Sequence, residues 1–215
     1  MLDSIFQDTM VNMKWTDIED YVNKNALVVL PLGVIEEHGP HLCLGTDILT
    51  AHIYCLSIKE KLEEEGHTVV IAPPFYWGIC QSTGGFLGSF RIRKETAKAL
   101  LYDILASLTC SIRSQSIVIS NVEFPDIHAG DIETAIIHKF YPHLVDVEKA
   151  KSLAPVALEN DKTEQWLFGG HIKALSSEGY LGIPADYENV EVESYIDDYT
   201  ERISDAILGH IVYVS

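Results

Sequence analysis

Ala26-Leu27-Val28-Val29-Leu30-Pro31-Leu32 runs directly into Gly33-Val34-Ile35-Glu36-Glu37-His38-Gly39-Pro40-His41, with Gly45-Thr46-Asp47 close behind. The fold reading turns on this stretch. Its first seven residues are apolar and read as a buried strand, the kind a sheet covered on both faces requires. The polar residues that follow place two adjacent carboxylates, two imidazoles and a third carboxylate around Gly39, Pro40 and Gly45. Imidazole nitrogen and carboxylate oxygen form the mixed donor set of Zn²⁺, Mn²⁺ and Fe²⁺, and glycine and proline let a short loop curl around an ion. A loop after a parallel strand lies at the sheet edge where α/β proteins build their sites. The stretch is a candidate metal site.

Outward from it, helical and strand patterns alternate. Thr16-Asp17-Ile18-Glu19 has the spacing of a capping box and predicts a short helix over 16–22. A helix is predicted over 47–65, with Leu49, Ile53, Leu56 and Leu62 near helical spacing and Gly66 as its stop. Thr68-Val69-Val70-Ile71-Ala72 reads as a second buried strand. A glycine-rich loop over 73–90 follows, and loops of that length in compact domains are often functional. Next come a helix over 94–108, a third strand over 116–120, and a helix opening near Asp131 and running toward Phe140. Residues 145–165 carry no clean period, 166–186 read as loop with short structure, and 191–211 form an amphipathic helix. This alternation predicts βαβ units, a largely parallel sheet and helices on both faces, in one domain over 1–215.

The bulk properties set the class. The net charge of −17 argues against nucleic acid and against an anionic membrane, because the surface field would repel both. No apolar run is long enough to span a bilayer, and the first residues lack the basic and apolar regions of a signal peptide. Cys43, Cys55, Cys80 and Cys110 are widely spaced and include no Cys-x-x-Cys pair, which suits a reducing cytoplasm.

Two constellations carry chemistry. Glu36 and His38 are one residue apart, so in an extended segment both side chains reach the same side and one ion. Asp47, at a helix start, reads either as a third ligand or as an N-cap. His41 reads as a ligand, a substrate contact or, preferred here, a structural histidine bonded to backbone. The second cluster is Asp126-Ile127-His128-Ala129-Gly130-Asp131-Ile132-Glu133-Thr134. In it His128 is a candidate acid/base of near-neutral pKa, and Glu133 is either a further ligand or an acid favoured by the helix dipole. His52, His67, His138 and His143 have no matching partner set and read as surface or locally satisfied. No phosphate-loop, nucleophile-elbow or dinucleotide fingerprint is present. Phe75, Tyr76, Trp77 and Phe124 read as core or subunit interface, the preferred reading, or as the lining of a substrate pocket.

The run from Pro31 to Asp47 strongly resembles the N-terminal signature of the creatininase (creatinine amidohydrolase) family, and His128-Ala129-Gly130-Asp131-Ile132-Glu133-Thr134 resembles its second signature. The resemblance covers most of residues 12–140 and is looser beyond. It implies a three-layer αβα fold with a mostly parallel sheet, and hydrolysis of a cyclic or non-peptide C–N amide in a small molecule. It also implies a Zn²⁺ or Mn²⁺ centre of up to two ions per chain and a homo-oligomer, a hexamer. By motif, Glu36, His38, Asp47 and Glu133 are the implied metal ligands and His128 the implied catalytic acid/base. The chain departs from the pattern after the third strand. Ile119-Ser120-Asn121 leads through Val122-Glu123-Phe124-Pro125 almost straight to His128, where the family usually carries tens of further residues, including a His-Gly-Gly-Asn-like segment with a metal-binding histidine. Two explanations are open at this stage: an altered metal site, or a longer protein from which this sequence omits an internal segment. An altered site would also fit a catalytically impaired member kept as a binding or assembly subunit.

Overall fold

The protein is described by a computed structural model covering residues 2–112, 116–119, 128–157 and 172–210. Its centre is β1, Leu27–Pro31, all five residues of which are buried. It pairs in parallel with β2 (Val69–Ile71) on one side and β3 (Ser116–Ile119) on the other, giving the order β2-β1-β3. The register sets Val29 opposite Ile71 and Ile117, and an isolated parallel bridge between Leu32 and Phe75 extends the first pairing. A strand with neighbours on both edges and helices on both faces has no solvent side, which is why it carries no polar residue.

Successive side chains of β1 feed two separate cores, as the two-residue period of a strand demands. Ala26, Val28 and Leu30 pack with Leu108 and against Ile18, Tyr21, Ile104 and Leu105, on helices α1 (Trp15–Asn23) and α3 (Lys94–Ile112). Leu27 and Val29 turn the other way, toward α2 (Thr46–Glu64), α4 (Asp131–Phe140) and α6 (Val192–His210), with the short α5 (Val147–Ser152) completing the order. The result is the expected αβα arrangement in three layers. Helix α2 lies against both α4 and α6, and its first turns, Thr46 through Cys55, are buried all round. The rings of Tyr54 and Tyr199 meet there, 4.4 Å between centroids.

Two local details differ from the sequence reading. Helix α1 begins at Trp15, and its capping contact is made by Asp17, whose carboxylate accepts from the Lys14 amide at 2.8 Å; Thr16 is already inside the helix. The region 145–165 contains α5, opened by Asp146, which accepts from the Lys149 amide at 3.0 Å. Six residues are too few to show a helical period. Phe75, Tyr76 and Trp77 line a cavity of about 610 Å³ against α1 and α3, and none of the candidate ligands borders it. Glu123 and Phe124 lie outside the described residues.

The loop after β1 reaches its position by passing under the first turn of α2. A methyl group at Gly33 would lie 2.8 Å from the Ile48 amide nitrogen and 2.9 Å from its Cα, so only glycine lets the strand end pass so close to that backbone. Gly33→Ala should therefore cost about 1–3 kcal/mol as overpacking and lower the thermal midpoint by several degrees. An unchanged melting curve would show that α2 is free to move away.

Candidate metal centre

The loop from β1 to α2 is stitched down before its polar side chains come into play. The Gly33 amide donates to the Phe75 carbonyl at 2.9 Å, Glu36 to Leu44 at 3.0 Å, and Phe90 to Ile35 at 2.9 Å. On this frame His38 is almost completely buried. Its Nδ1 lies 3.1 Å from the Glu36 carbonyl oxygen, which can only accept, so Nδ1 carries the hydrogen. That leaves Nε2 facing the Asp47 carboxylate at 3.2 Å and the Glu133 carboxylate at 4.0 Å.

Asp47 is the second residue of α2, whose N-cap is Gly45; its carboxylate meets His38 and does not cap the helix. Glu133 is in the first turn of α4, as its helix-favouring position predicted, and also accepts from the Ala129 amide at 2.6 Å. Ala129 has φ +51°, a left-handed conformation uncommon for alanine, and this hydrogen bond helps to hold it. Beside it, His128 bridges antiparallel to Leu181, and its ring centroid lies 4.6 Å from that of His38. His128 Nε2 donates to the Glu37 carbonyl at 2.9 Å, with the Glu37 carboxylate at 3.3 Å, so Nδ1 is the nitrogen left for other work.

The five sequence candidates thus converge. Donor atoms of Glu36, His38 and His128 lie within 4.8 Å of one another, and so do those of His38, Asp47 and Glu133. Sequence reasoning gave Glu37 no role. The structure fixes its carboxylate between His128 and the Gly39 amide (3.0 Å), where Gly179 leaves it room. A methyl group at Gly179 would stand 2.0 Å from Glu37 Oε2. Thr83 was likewise seen only as part of a loop, yet its hydroxyl donates to Glu36 Oε2 at 2.6 Å. The one signal for either residue was its place in a motif or a long loop.

The electrostatics follow from burial. Burial opposes the imidazolium of His38, but Asp47 and Glu133 outweigh it and hold the pKa well above the ordinary value. Burial and His38 oppose the charge on His128, while Glu37, Glu133 and Glu36 raise it above the usual value. Burial, then Asp47, raises the Glu36 carboxyl. A neutral His38 would aim its lone pair at two carboxylates, an arrangement that needs a cation in between. Either a second proton or a metal ion meets that need, and metal binding displaces the proton. Tetrahedral zinc ligands at 2.0–2.2 Å stand roughly 3.4 Å apart, between the two His38–carboxylate distances. The donor set therefore fits a divalent transition metal.

His41 is structural, but its partner is a side chain and not backbone. The Thr134 hydroxyl donates to the Gly130 carbonyl, so it accepts from His41 Nε2 at 2.9 Å. Nδ1 of His41 is buried and has no hydrogen-bond partner among the described residues. Burial, and then His38, lowers the pKa to about 4. Because the folded pKa lies below the unfolded one, near 6.5, the unfolded chain takes up a proton first as the pH falls. This histidine's contribution should be intact above about pH 6.5 and fall by roughly 3 kcal/mol toward pH 4. Denaturant melts of metal-free wild type and His41→Gln between pH 7 and 4.5 test this. The variant should lose stability over that range less steeply, and parallel curves would refute the assignment.

Comparison with known proteins gives the context. The profile of the creatininase family, creatinine amidohydrolase, matches residues 11–121 and 110–207. The two stretches overlap just before the point where the sequence departs from the family pattern. A mycofactocin precursor peptide peptidase from Mycolicibacterium smegmatis is 25% identical over 211 residues, covering 84% of this chain and 84% of that protein. A crystal structure of creatinine amidohydrolase has the same fold, with a TM-score of 0.75 at 18% identity over 93% of this chain and 96% of that one. A mutant creatininase of Zn–Zn type gives a TM-score of 0.72 at 18% identity, covering 96% and 98%. With the profile spanning nearly the whole chain and both of its motifs meeting in one buried cluster, this protein belongs to the creatininase family.

Proposed function

We propose that this protein is a metal-dependent amidohydrolase that cleaves a cyclic or non-peptide C–N amide bond, creatinine-like or formamide, in a small-molecule substrate. The observation that carries the reading is the arrangement around His38: Nδ1–H held by a backbone carbonyl, Nε2 turned to Asp47 and Glu133. An imidazole fixed through its other nitrogen is the usual way a protein presents a ligand to an ion.

In this reading Glu36, His38, Asp47 and Glu133 hold one or two ions, zinc or manganese. His38 belongs to both donor groups, with Asp47 and Glu133 in one and Glu36 and His128 in the other. When bound, the metal supplies a Lewis acid that lowers the pKa of water toward neutrality and polarises the amide carbonyl. His128, with Nε2 committed to Glu37, moves protons at Nδ1: it takes one from the attacking water and returns it to the departing nitrogen. Glu37 keeps that ring in place. The name of the M. smegmatis relative adds short peptides to the substrates worth screening. The family resemblance extends to a homo-oligomer, a hexamer. The free Cys43, Cys55, Cys80 and Cys110 support a reducing, cytoplasmic setting, and no helix among the described residues is long and apolar enough to cross a membrane.

Elemental mass spectrometry on protein purified without chelator should find about one to two zinc or manganese ions per chain, as a centre of one or two metals requires. Less than one would favour the second reading, an impaired member serving as a binding or assembly subunit, which the shortened stretch before His128 motivates. With creatinine, formamides and short peptides as substrates, Asp47→Ala should abolish turnover while the protein stays folded. Full activity in that variant would rule out the assignment.

A further inference from the structure

The loop over 73–90 has no helix or strand of its own, yet one side chain in it reaches the acidic cluster. Thr83 is completely buried, and its hydroxyl donates to Glu36 Oε2 at 2.6 Å across 47 residues of sequence. A hydroxyl has one hydrogen to give, and Glu36 receives it. The sulfur of Cys80, also buried, lies 2.6 Å from the Thr83 hydroxyl oxygen, and its thiol bonds the Glu36 carboxylate as well. The segment is anchored on both sides. The Ser82 carbonyl accepts from the Ile172 amide at 3.0 Å, and the Arg91 guanidinium donates to the Gly84 carbonyl. Thr83 is therefore a fixed donor, set in place by contacts that do not involve the cluster.

We propose that Thr83 is a positioning residue for Glu36, engaging one carboxylate oxygen so that Glu36 meets a divalent cation beside His38 as an oriented, one-oxygen ligand. The proposal rests on the metal-centre reading above. A carboxylate hanging from a loop otherwise rotates freely about its last bond, and a buried hydroxyl on one oxygen removes that freedom. Partners of this kind commonly change metal affinity about 10- to 100-fold when lost.

The test is zinc affinity and stoichiometry, read by competition with a chromophoric chelator on metal-free full-length protein. Thr83→Val keeps the shape and removes the hydroxyl; Thr83→Ser keeps the hydroxyl. The valine variant should bind at least one zinc equivalent about 10- to 100-fold more weakly than wild type. The serine variant should stay within about threefold, below the loss of an outer partner. Thermal melts of the metal-free proteins check folding, and Thr83→Ala serves as the hydroxyl-free variant if valine is not accommodated. Wild-type affinity in both hydroxyl-free variants would overturn the role of Thr83 while leaving the metal centre standing. Wild type that binds no zinc or manganese would overturn the metal centre and this role with it.

Discussion

Three carboxylates and two imidazoles share a small volume at the end of β1, most of it removed from water, and much of the surrounding structure answers to that constraint. Buried charge is tolerated only when compensated. Here the compensation centres on His38, whose ring is pinned at one nitrogen by the Glu36 carbonyl and turned at the other toward Asp47 and Glu133. Two acids at the starts of two helices, α2 and α4, gain from the partial positive charge of those helix ends as well. The arrangement is poised for a cation, and it exists because the strand, both helices and the connecting loop arrive at one point.

Holding that point takes contacts between parts of the chain far apart in sequence. His41 to Thr134 spans 93 residues, and His128 to Glu37 spans 91; each ties the first motif to the second. Thr83 ties in a third segment. In each of these bonds the proton direction follows from simple accounting: a carbonyl only accepts, and a hydroxyl donates once. That accounting separates three histidines that look alike in sequence. His38 turns Nε2 to the carboxylates, His128 spends Nε2 on Glu37, and neutral His41 serves packing.

The strands were legible because full burial on both faces leaves an unbroken apolar run, as in Val69-Val70-Ile71, and the long helices because their turns repeat. Helix ends were less so. The capping contact of α1 falls at Lys14 and Asp17 although Thr16 to Glu19 has the better-looking pattern, since the backbone turns two residues earlier. The short α5 carries no period at all. Within the site, the ligand types stood out in both motifs, but Glu37 and Thr83 did not. Their importance lies in what they touch, and neither touches a sequence neighbour with a recognisable spacing.

The sequence by itself determined the alternating α/β architecture, the family, and the inventory of carboxylates and imidazoles that a metal would need. Those follow from residue type and local period, properties that a chain carries before it folds. Only the tertiary structure decided which of those groups meet, which ring nitrogen each histidine offers, and which loop residue orients Glu36. The reason is physical: hydrogen-bond direction and burial depend on partners dozens of residues away, and those partners are chosen only when the layers pack.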